Sequence, residues 1–255
     1  MWHLYVFYSN DLTQWNTLEL YSSRSLSSGI KLCYFNNKLR IFFSADSKVF
    51  LFSVADDFGS FEKIELDSYN RYSFAINFAK IIGEKMVVSY QDAAGSYSHL
   101  IFFNSSLEQS KFVFPTSWDS TAGQMVGARA GNIFEKKSNY HIIAYAANHS
   151  GLIYLYTIPK TSVIAGADKT VDEGENMPYF SGKGLGFFQR SVIGEYLYVS
   201  ANTSVYRTLI KDFSKNSVFE EIGTNLSENI NLTVCDLLTY MGKQILLSDT
   251  VLLEM

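Results

Sequence analysis

Five times along the chain an apolar strand runs into a small polar turn closed by Asp or Asn: Ile41 to Asp46, Val87 to Asp92, Ile142 to Asn148, Leu197 to Asn202 and Ile245 to Asp249. The closing residues are 46, 56, 54 and 47 positions apart. A period of that length marks a supersecondary unit that cannot bury its apolar face alone and must pack on the next copy. Asp and Asn suit the closing positions because their side chains bond nearby backbone and tolerate left-handed conformations.

Each copy is preceded by a second apolar run and a tight turn, at Asn36–Lys38, Gly83–Lys85, Lys137–Asn139, Gly194–Glu195 and Gly242–Lys243. Those are hairpin signals. A third strand begins at Val49, Leu100, Leu152, Val205 and Val251, and a weaker fourth follows in most copies, as in Phe61–Leu66 and Lys111–Phe114. Up-and-down strands repeated in this way predict an all-β chain, a five-bladed β-propeller of four-stranded antiparallel blades. The segment Leu4–Leu20 aligns with Val49–Leu66, so the chain opens in mid-blade, and from Leu232 it reads as the first three strands of one. The expectation is therefore a single domain over 1–255 with blades at about 24–66, 72–115, 122–175 and 180–223. Residues 1–20 are expected to pair in one sheet with 230–255, closing the ring and covering edges that otherwise invite aggregation. The two longer polar connections, Pro115–Gly123 and Thr161–Met177, read as surface loops.

Composition narrows the function. Aromatic residues are 16% of the chain and charged residues 18%, which favours half-buried pleated surfaces over helices. A net charge of -4 supplies no general basic field, so nucleic acid is excluded as a partner. No apolar stretch approaches the length of a membrane span, and no membrane insertion is expected. The first residues show neither a basic start nor a long apolar segment, so no signal sequence is read; a virion or extracellular setting is expected, with the cytoplasm left open. Cys33 and Cys235 lie in apolar runs and read as reduced thiols on inner strands. His3, His99, His141 and His149 show no ligand spacing, and Ser181–Gly186 lacks the spacing and the helix of a phosphate cradle, so neither metal nor cofactor is implied.

One short motif carries a resemblance. Ser9, Asp11 and Trp15 stand as Ser-x-Asp-x-x-x-Trp in a turn between strands, with a degenerate copy at Asp57 and Phe61 and weaker ones at Asn104–Leu107 and Lys211–Phe213. The pattern resembles the recurring Asp-box turn of sialidase-like and glycoside-hydrolase-type propellers. The resemblance implies a structural role, in which the carboxylate caps backbone amides and the aromatic ring packs beneath.

A glycosidase needs two carboxyl groups across the scissile bond. The inner strands are read at Ile30–Phe35, Ser73–Ala79, Gly131–Glu135, Gly186–Gln189 and Leu232–Asp236, and only Glu135 and Asp236 on them are acidic. These belong to the third and fifth blades. Arg24, Arg71, Arg129 and Lys183 each precede an inner strand and outline a basic ring for an anionic ligand. The leading reading is a non-enzymatic propeller that binds a protein partner or a cell-surface glycan, as a virion tail or structural component in a larger, oligomeric assembly. The alternative is a glycoside hydrolase or sialidase-like enzyme using Asp236 with Glu135.

Overall fold

A computed structural model describes residues 1–24, 30–68, 74–92, 98–114, 116–119, 124–146, 153–171, 174–176, 188–193, 195–201, 204–223, 236–240, 243–247 and 252–254. No α-helix occurs among them; the helical pieces are single 3₁₀ turns such as Lys160–Ser162 and Ile210–Asp212. The chain divides into two compact units, Met1–Thr116 with Val163–Thr170, and Ser117–Ser162 with Val171–Met255.

The first unit holds three sheets. β1 (Trp2–Tyr8) and β2 (Asn16–Ser23) form a two-stranded hairpin, and β3 (Lys31–Phe35), β4 (Lys38–Ala45), β5 (Lys48–Val54) and β6 (Phe61–Ser68) form an antiparallel meander. β7 (Phe74–Ile82), β8 (Lys85–Asp92), β9 (Ser98–Phe103) and β10 (Gln109–Phe114) form the next. Side chains alternate across a strand with period two, and here both faces are claimed. Ile41, Phe43 and Ala45 of β4 and Phe50, Phe52 and Val54 of β5 pack in one core with Leu20, against which Leu4, Val6 and Leu18 of the first hairpin lie. Phe42, Val49 and Leu51 point the other way, into a core shared with Phe74 and Ile76 of β7 and Met86, Val88 and Tyr90 of β8. That double burial explains why β4 and β5 read as near-continuous apolar runs.

Turn chemistry fixes the hairpins. Asn36 and Asn37 (φ 51° and 56°) and Asp46 and Ser47 (φ 50° and 59°) place two successive residues in the left-handed region. Two-residue turns of that kind match the right-handed twist of the strands they join. The connections from third to fourth strand use a different device, a single left-handed apolar residue: Leu12, Phe58 and Leu107 have φ of 63°, 57° and 62°.

In the second unit, β11 (Thr116–Asp119), β12 (Gln124–Lys136), β13 (Asn139–Ala146), β14 (Ile153–Pro159) and β16 (Glu175–Asn176) share a sheet. β17 (Phe188–Ile193), β18 (Tyr196–Ala201), β19 (Ser204–Leu209) and β20 (Glu220–Gly223) form a second, and β21 (Asp236–Tyr240), β22 (Lys243–Leu247) and β23 (Leu252–Glu254) a third. Phe134, Ile143 and Leu155 meet Leu197, Val199 and Tyr206 in its core, closed by Phe213 and Phe219. Gly174 is needed where it stands, because a Cβ there would lie 2.7 Å from the Cζ of the buried Tyr156 ring.

Three expectations are corrected. Thr161–Met177 is not simply a loop. It contributes β15 (Asp168–Thr170), which pairs in parallel with β10, and β16, which pairs with β14. The backbone of the Val163–Thr170 segment binds the outer edge of β10: Lys111 N donates to Ala167 O (2.6 Å), Gly166 N to Gln109 O (2.8 Å), and Ser110 Oγ to Ile164 O (2.5 Å). Gly166 makes the bend at φ 78°. An open edge presents unpaired N–H and C=O groups, and polar residues without strand periodicity satisfy them as well as any others. Pro115–Gly123 likewise contributes β11, for the same reason. Lastly, among the described residues the terminal segments do not share a sheet: β1 pairs with β2, and β21–β23 form a sheet of their own. The register that would join them depends on long-range contacts, which the strand pattern does not encode. Among the described residues the sheets hold between two and five strands, where four each were expected.

Candidate functional site

The residues singled out from sequence fall in different places. Arg24 is exposed just beyond the end of β2, whereas Arg71 and Lys183 lie outside the described residues. The backbone of Arg129 sits on β12 opposite Tyr145, and Asp236 opens β21 opposite Leu247. Cys235 and the rest of the expected inner strand Leu232–Asp236 lie outside the described residues. Glu135 is exposed near the end of β12, where its carboxylate accepts from Lys160 Nζ, and that ammonium lies 5.8 Å from the centre of the Tyr140 ring. Glu135 and Asp236 belong to separate sheets. Cys33 is a free, half-buried thiol on β3, and burial pushes it up to about 11 against the opposing pull of Arg40.

The turn motif is held by its own side chains. Asp11 Oδ1 accepts from the backbone N–H groups of Thr13 (2.8 Å) and Gln14 (3.0 Å), and Ser9 Oγ donates to it (3.1 Å) while accepting from Leu12 N (2.9 Å). Those bonds, that from Gln14 first, hold the Asp11 carboxyl well below the usual carboxylate range. Trp15 does not pack beneath the turn as expected: it is 58% exposed and precedes β2, whose Leu18 and Leu20 are the residues that pack on the core. In the degenerate copy Asp57 Oδ1 accepts only from Gly59 N (2.9 Å), but Phe61 stands edge-on to Phe52 at 5.6 Å and Phe58 stacks on Tyr8 at 4.6 Å.

The first unit also contains two polar latches that no motif announced. Asp46, in the turn between β4 and β5, accepts Tyr21 OH (3.0 Å) on Oδ2 and Ser23 Oγ (2.7 Å) on Oδ1, both from β2. Asp67, at the end of β6, accepts Tyr90 OH of β8 (2.8 Å) and Lys111 Nζ of β10 (3.0 Å) on Oδ2, and Ser68 N (2.9 Å) on Oδ1. Each therefore joins a fourth strand to the sheet that follows it, with tyrosine and carboxylate exchanged between the two. Burial works against the charge of Asp67, yet Lys111 and the Tyr90 hydroxyl outweigh it and keep the carboxyl below its ordinary value. The phenols respond in the opposite sense: Tyr21 is pushed up to about 12, by burial first and then by Asp46, and Tyr90 is raised further, by burial and then Asp67. The Asp67 carboxylate, held ionised by these donors, can fasten sheets but cannot donate a proton near neutrality. Sequence could have offered Asp46, a closing residue of the repeat; Asp67 carries no such signal, since it closes none of the five strand copies. Among the described residues no group of three or more His, Cys, Asp or Glu is placed to hold a metal ion.

No family model and no curated protein matches the chain. Solved structures do. A sialidase of Trypanosoma rangeli in complex with sialic acid is 13% identical at a TM-score of 0.50, over 96% of this chain and 47% of that one. The WD40 domain of SCAP from fission yeast (11%, 0.47, 96% and 56%) and an apocarotenoid oxygenase from Synechocystis (8%, 0.45, 90% and 58%) are also similar. The fold is propeller-like. At such identities the likeness concerns the fold alone, and the chain spans about half the length of the sialidase.

Proposed function

We propose that the chain is a non-enzymatic binding protein, built as a five-bladed propeller, that engages a protein partner or a surface glycan as part of a virion tail or structural assembly. The blade count rests on the five strand copies in the sequence. The observation that supports binding over hydrolysis is electrostatic. Three carboxyl groups, Asp11, Asp67 and Glu220, are held below their ordinary values by donors that they satisfy. A general acid of a glycosidase requires the reverse, a carboxyl kept protonated by an apolar or anionic neighbourhood. Glu135, the inner-strand acid whose side chain is described, is bound to Lys160. Exposed Trp2, Tyr5, Phe7, Leu32 and Tyr34 meanwhile supply contact area with little charge. Arg24, Arg71, Arg129 and Lys183 are the residues we assign to an anionic group on the ligand.

The sialidase likeness makes hydrolysis by Asp236 with Glu135 the competing reading. A glycan array run beside a reducing-sugar release assay on the whole chain separates the two. Binding without release, weakened in the Arg24→Ala and Arg129→Ala variants, is the expected result. Sugar release that Asp236→Asn abolishes would overturn it.

A further inference from the structure

We draw no further inference here: the strongest candidate, the edge of β1 that no described strand other than β2 pairs, with exposed Trp2, Tyr5 and Phe7 on that strand, carries nothing because nothing in the structure shows what covers it.

Discussion

The turn from Ser9 to Trp15 and the turn from Ala55 to Phe61 share one pattern in sequence and are secured by opposite means. The first is polar: Asp11 and Ser9 together hold the amides of Leu12, Thr13 and Gln14, while Leu12 and Trp15 stand 77% and 58% exposed. The second has one side-chain bond to backbone, from Gly59 to Asp57, and two rings seated on neighbours, Phe58 on Tyr8 and Phe61 on Phe52. A strand-to-strand turn thus needs either enough acceptors for its free amides or enough apolar area to press it down. The difference follows from position, because the second turn lies against the first hairpin, which supplies Tyr8, whereas no described residue packs on Leu12 in the same way.

The largest contrast is expected at the aromatic residue that ends each turn. Phe61→Ala should cost about 2 kcal/mol, below the roughly 3–5 kcal/mol of a fully buried phenylalanine because the ring is only half-buried, while Trp15→Ala should stay within about 0.5 kcal/mol. Urea titrations of the two variants check this, and equal losses would mean that Trp15 has an unseen seat.

The left-handed residues give a smaller contrast with opposite signs. An L residue at positive φ costs about 1–2 kcal/mol, of which glycine's greater freedom in the unfolded chain returns about 0.5–1 kcal/mol. Leu12→Gly should therefore stabilise by about 0.5 kcal/mol, since Leu12 has little packing to lose. Phe58→Gly loses its contact with Tyr8 and should destabilise by about 1 kcal/mol net. Thermal midpoints moving in the same direction would break the comparison.

Removing the carboxylates should reverse the ranking. Asp11→Ala strips two backbone amides of their acceptor and Asp57→Ala only one, so the first variant should show the larger drop in unfolding midpoint. Both turns are legible in the strand pattern alone, because Ser, Asp and Gly between apolar runs are local signals. What holds each turn is not legible there, since Tyr8 and Phe52 reach the second turn from other strands.

The smallest effect is local and depends on pH. Asp11 is held below its ordinary value, so its contribution is present above about 4, the usual carboxylate range, and is lost as pH falls through the lowered value. Amide exchange over residues 9–15, taken relative to the unprotected rate at each pH, should therefore accelerate on acidification below about pH 4, while that over 55–61 changes less, because the ring contacts there carry no proton. Equal acceleration in both turns would show that Asp57 matters more than its single bond suggests.

The sequence by itself determined the all-β class, the strand copies and the hairpin turns, because alternation and turn chemistry act over a few residues and the same residues recur in each copy. Only the tertiary structure decided that Asp67 binds Tyr90 and Lys111, that polar residues Asp168–Thr170 complete the edge of β10, and that β1 and β21–β23 lie in different sheets. These depend on which distant backbone edge or hydroxyl comes within about 3 Å of a donor or acceptor. No local pattern records such a choice, because a backbone edge is the same chemical object whatever sequence pairs with it.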